Sequence, residues 1–217
     1  MTSIHCARII RYEKICGLLP GSKQKMSVTK TIKKNGGKAL GIVHPLWCEN
    51  LWYKKSPLNE NYDTVAPVSR VTYNSYLDRL KRRVSKENGV IFLFAISERS
   101  AVNWVRRLHT NASFILIETA KRSPVPRFPE HVTRALRWKT LAFNLKNLGV
   151  TKLKLAGETD LQRLPIVCED YKTMERASGC INIAYDSLKS FLTVDKVKSL
   201  TFPNVYLDSC GNVLSEW

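Results

Sequence analysis

The spacing of apolar residues changes period along the chain. In "VTYNSYLDRLKRRVSKEN", Tyr73, Leu77, Leu80 and Val84 recur at intervals of four, three and four. That spacing predicts a helix with one apolar stripe, closed by Gly89. "VIFLFAI" is a continuous apolar run, β-rich and too short for a typical helix, which suits a strand covered on both faces. Ser97 fits a helix cap, with Ala101, Val105 and Leu108 facing inward. "SFILIE" predicts another buried strand, and the three prolines of "KRSPVPRFPEH" predict a loop. "VTRALRWKTLAFNLKNLG" is the clearest helix, with Trp138, Leu141, Leu145 and Leu148 as its stripe and Gly149 as its end. "VTKLKLAG" reads as a strand. "CINIAYDSLKSF" reads as a helix by Ile183, Leu188 and Phe191, and "NVYLDSC" as the last strand. Upstream, "KALGIV" is the first strand, lying between Gly36-Gly37 and His44-Pro45, and residues 47–69 are a long loop.

Strands alternating with helices predict a three-layer α/β sandwich with a mainly parallel, Rossmann-like sheet. The expected organisation is a basic, flexible N-terminal arm over residues 1–37 and a single α/β domain over 38–217. Met26 opens "MSVTKTIKK", which would serve equally well as a start, leaving residues 1–25 as an upstream extension.

Charge adds a second theme. The 217 residues carry a formal net charge of +17. Residues 1–38 hold nine Lys/Arg and one Glu, giving +8, and the other 26 Lys/Arg and 17 Asp/Glu give +9, so the folded part is basic in its own right. A basic surface concentrates polyanions, which makes nucleic acid a candidate partner. The candidate contacts are Lys30, Lys33 and Lys34 of the arm, with Arg79, Arg82, Arg83 and Lys86 off the stripe of the helix at 71–87. No apolar run reaches the 18 residues of a membrane span, so no membrane is expected. The six cysteines are scattered, without C-x-x-C or zinc spacing. With no signal peptide they read as reduced thiols of a cytoplasmic protein. A homo-oligomer is compatible with the pattern.

In open parallel sheets, ligands bind beyond the carboxyl ends of the strands. That rule brings His44 and Trp47, Ser97 and Glu98, Glu118 and Thr119 with Lys121 and Arg122, Gly157 to Asp160, and Asp208 and Ser209 to one rim, of which His44, Glu118, Lys121 and Glu158 are the candidates for chemistry. Phosphate-loop, dinucleotide and serine-hydrolase signatures are absent, so no organic cofactor is expected. Cys180 follows Ser-Gly at a helix start, where the dipole and free N–H groups favour thiolate. The competing reading is a small apolar residue filling a gap. His44 is a candidate base. His44, Glu118 and Glu158 are a candidate divalent-metal set, with solvated salt bridges as the alternative for the carboxylates.

The stretch from Phe114 to Ser209 resembles the later half of isochorismatase-like cysteine hydrolases. The residues that carry the likeness are "FILIETAKRS" with Lys121, "LKNLGVTKLKLAGE", "SGCINIAYDSL" with Cys180, and "VYLDS" with Asp208. The resemblance implies a hydrolase in which Cys180 attacks an amide or related carbon of a small-molecule substrate and Lys121 supports the thiolate. The sequence departs from that family at the end of the first strand, where His44 stands in place of Asp. About 20 residues, Glu158 to Gly179, also replace a short turn. His44 or Glu118 would then serve as base.

Overall fold

The structure is a computed structural model that describes residues 9–17, 21–45, 65–66, 70–95, 97–106, 108, 110, 112–120, 123–127, 134–158, 180–202, 205–207 and 213–215. Its centre is a sheet of six parallel strands: β1 (Ile9–Arg11), β2 (Lys38–Val43), β4 (Val90–Ala95), β5 (Ser113–Ala120), β7 (Lys152–Glu158) and β8 (Thr193–Phe202). They lie in the order β1-β5-β4-β2-β7-β8. Helices cover both faces, giving the three-layer Rossmann-like α/β sandwich that the alternation predicts.

The faces follow from side-chain alternation along the strands. One face carries Val43, Phe92, Phe94, Ile115, Ile117, Leu153 and Leu155. It is covered by α1 (Tyr12–Gly17), α2 (Lys23–Lys34), α5 (Arg134–Asn147) and α6 (Cys180–Leu188). The other face carries Leu40, Ile42, Ile91, Leu93, Phe114 and Leu116. It is covered by α3 (Arg70–Ser85) and α4 (Glu98–Val105). The inward stripe of α3 includes Leu77, Leu80 and Val84, as the spacing predicts, and Tyr76 joins them; the Tyr73 side chain lies outside the described residues. Trp138, Leu141, Leu145 and Leu148 are all buried, as expected.

Three expectations are corrected. The supposed arm is built into the domain over its described residues. Ile9 to Arg11 pair in parallel with Phe114 to Leu116, Tyr12 and Ile15 are buried, and Val28 and Ile32 anchor α2 on the core. Within the proline-rich loop, β6 (Ser123–Pro126) turns back antiparallel on the end of β5. An edge segment needs few donors, so proline is tolerated there. The last strand of the main sheet is β8, not "NVYLDSC". β9 (Val205–Leu207) instead joins β3 (Val65–Ala66) and β10 (Val213–Ser215) in a small antiparallel sheet.

Candidate functional site

The chain builds outward from β2 through β4 to β5, then returns to place β7 on the other side of β2. This reversal makes the carboxyl ends of β2 and β7 the topological switch point, the position where such sheets bind ligands. Gly157 closes β7 at φ 125°, and a Cβ there would lie 2.1 Å from the Val43 carbonyl oxygen. Only glycine lets the two backbones approach this closely.

His44 follows Val43 with φ 45° and is buried. Its N–H donates to the Phe94 carbonyl at 3.0 Å, and its Nε2 lies 2.8 Å from Thr119 Oγ1. The residue therefore ties the end of β2 to those of β4 and β5. Burial lowers its pKa to about 4, so the ring is neutral at pH 7. A group with that pKa has little driving force for accepting a proton at neutral pH, which weighs against His44 as a general base. Thr119, which the strand-end rule brings to the rim beside Glu118 without a role, is its partner.

Cys180 opens α6 as a reduced, half-buried thiol packed against the core. A helix that leaves β7 and leads back to the start of β8 begins at the carboxyl rim. Thr119 lies on the same face, in register with Ile115 and Ile117. Glu118 alternates onto the face of Phe114 and Leu116, toward α3 and α4. The fold thus places Glu118 and Cys180 on opposite layers, which does not suit a base and its nucleophile. Lys121, Asp208 and the Glu158 side chain lie outside the described residues. Among the described residues no three His, Cys, Asp or Glu side chains form a metal-holding group.

The opposite end of the sheet has a different chemistry. α2, α3 and α5 all lead into strands and so end at the amino edge. α2 and α5 finish in the same cap. Gly37 N–H reaches Ile32 O at 3.0 Å and Gly36 N–H reaches Lys33 O at 2.9 Å. Val150 N–H reaches Leu145 O at 2.9 Å and Gly149 N–H reaches Lys146 O at 2.8 Å. This is the Schellman pattern, and it sets Lys33 and Lys146 at corresponding positions. The ends meet in space. Thr151 N–H donates to Gly37 O at 2.8 Å, the Lys33 stem lies against Gly149, and the Asn35 amide crowds Gly89 beyond α3.

The basic side chains here divide into two groups. Arg83 pairs with Glu87 at 3.0 Å, Lys152 with Asp195 at 2.5 Å and Lys189 with Asp186 at 2.5 Å. Lys33, Lys34, Lys38, Arg82, Lys86 and Lys146 are exposed and have no acidic partner among the described residues. Basic residues in a last helical turn complement the dipole, and that alone explains some of them. Three helix ends supply about −1.5 charges at roughly −0.5 each, however, so six unpaired cations leave an excess of about +4.5. Of the sequence-assigned contacts, Lys33, Lys34, Arg82 and Lys86 gather at this edge, and Lys30 is exposed about one turn earlier on α2. Arg79 is committed elsewhere, its Nε donating to Ser199 O at 3.1 Å, and Arg83 is paired. Lys38 and Lys146 were missed because their neighbours along the chain give no sign of the edge they share.

No protein-family model, curated protein or solved structure matches this chain.

Proposed function

We propose that this protein binds nucleic acid through its phosphate backbone, using the amino edge of the sheet. The observation that carries the reading is the cluster of six cations, without an acidic partner among the described residues, presented by three converging helix ends and the first residue of β2. Five of the six are lysines, point charges suited to backbone contact rather than bidentate reading of bases, so binding is expected to be largely independent of sequence. The test is fluorescence anisotropy with a labelled 20-mer across a salt series. Contact with four to six phosphates predicts a log–log slope of about −3 to −4 for a single strand, at about −0.7 per phosphate. Replacing Lys33, Lys34 and Lys146 by Gln should flatten the slope by about 2. Absent or salt-independent binding would reject the reading.

A second reading is favoured by one observation, the half-buried Cys180 at the start of α6 on the face that also carries Thr119. Here the carboxyl rim holds a thiol nucleophile acting on an amide or related bond of a small molecule, as the isochorismatase-like resemblance implies. Lys121 is the proposed support, and a divalent metal at His44, Glu118 and Glu158 is the variant of this reading without a thiol step. Rapid alkylation of Cys180 in native protein, with activity on amide or ester libraries lost in Cys180→Ser, supports the thiol form. Modification only after denaturation assigns Cys180 to packing and removes that form.

A further inference from the structure

The basic edge continues into a groove of about 740 Å³ between the ends of α5 and α6, lined in part by Lys146, Gly149, Thr151, Tyr185, Lys189 and Phe191. We infer that the nucleic acid held at this edge is single-stranded and that its bases lodge in this groove against Tyr185 and Phe191. The inference rests on the nucleic-acid reading above and deepens it.

Three observations support it. First, the groove joins the edge without a break. Lys146 belongs to both, and Gly149 and Thr151 connect its floor to the Gly37–Lys38 turn. A backbone lying over Lys33, Lys34 and Lys146 therefore passes the groove mouth. Second, the two aromatic rings are half-buried and packed against the core, so they are already oriented and lose little freedom when a base arrives. Duplex bases are stacked inside their own helix and cannot use such rings, whereas every unpaired base has a face to stack. Third, the Tyr185 ring already attracts cations. Lys189 Nζ lies 5.3 Å and Lys196 Nζ 5.6 Å from its centroid. Asp186 balances Lys189, Lys196 donates to the neutral Asn182 Oδ1 at 2.7 Å, and Lys146 adds the charge of the adjoining edge. A positively charged track beside aromatic rings is the composition of a single-strand platform, and a base stacking on Tyr185 takes the place of a lysine over its face. The groove's volume also falls within the roughly 300–1,000 Å³ of small-ligand pockets, enough for one or two bases.

The experiment compares a 15-nucleotide single strand, as DNA and as RNA, with a blunt duplex of the same length at one salt concentration. It adds photocrosslinking with 5-iodouracil-substituted strands, mapped by mass spectrometry on the unaltered protein. The inference expects tighter binding of the single strand, crosslinks at Tyr185 or Phe191, and about a tenfold loss of single-strand affinity in Phe191→Leu or Tyr185→Leu. Duplex binding should not change in those variants. The DNA and RNA arms identify which strand is preferred. Equal binding of duplex and single strand, with crosslinks elsewhere, overturns the inference while leaving the nucleic-acid reading standing. No salt-dependent binding of any oligonucleotide, or equal binding of polyglutamate, overturns both. The crosslink map does not depend on whether the leucine variants fold.

Discussion

His44 and Gly157 hold backbone conformations that ordinary L-residues avoid, at φ 45° and 125°, and both lie where β2 and β7 part. Their energetics are separately measurable. The His44 pKa is lowered by burial to about 4, against 6.5 for a free imidazole. Its contribution to stability is therefore complete above pH 6.5 and is lost as pH falls toward 4, a difference of about 3 kcal/mol. His44→Asn keeps a residue that tolerates the left-handed region and removes the titration. Urea denaturation at pH 7 and pH 4.5 should show a smaller acid-induced loss in this variant than in the unaltered protein. Parallel losses would mean that the imidazole is not the group destabilised by acid. Gly157→Ala forces a methyl onto the Val43 carbonyl and should cost about 3 kcal/mol, seen as a Tm drop of roughly 6–12 °C. An unchanged Tm would show that β2 and β7 are not in this close register.

At the scale of elements, the first stretch of chain gives the sharpest prediction. Tyr12 and Ile15 are buried, and β1 covers the outer edge of β5. Deleting residues 1–17 should cost about 3–6 kcal/mol, the burial of two large side chains, and should uncover a strand edge prone to association. A deletion that melts like the full chain would restore the arm reading. The elements that sequence made plain are those with a strong local period. Continuous apolar runs became β2, β4 and β5, and the stripe positions of α3 and α5 among the described residues are buried. β8 was missed because "TVDKVKSLTF" mixes lysine and aspartate into an edge strand, which needs only one apolar face in part of its length. β1 and β6 were missed because three or four residues carry no period, and only pairing with β5 defines them. The rim followed the same logic. Its residues were legible from strand ends, but the contact between His44 and Thr119 spans 75 positions and depends on strand order. Alternation along β5, which sends Glu118 and Thr119 to different faces, likewise matters only once each face has its helices.

For the whole molecule, the two ends of the sheet divide the chemistry. The carboxyl rim holds a buried neutral imidazole, a hydroxyl and a half-buried thiol. The amino edge holds cations from three helices on both faces and from the start of β2, without acidic partners among the described residues. Net charge alone, +17, could not say where the basic residues gather. Strand order brings Lys33, Lys34, Lys38, Arg82, Lys86 and Lys146 to one edge although they span more than half the chain. Exposed charges act over about a Debye length, roughly 10 Å at 0.1 M salt, so such a cluster acts as a unit only when gathered in this way. The measurement that tests this most directly is single-strand affinity against salt for the unaltered protein and for the Lys33→Gln, Lys34→Gln, Lys146→Gln triple variant. Phosphate contact at this edge predicts a slope of about −3 to −4 that the triple variant flattens by about 2, with its far-ultraviolet circular dichroism unchanged. The same slope in both proteins, or no binding even at low salt, would contradict it.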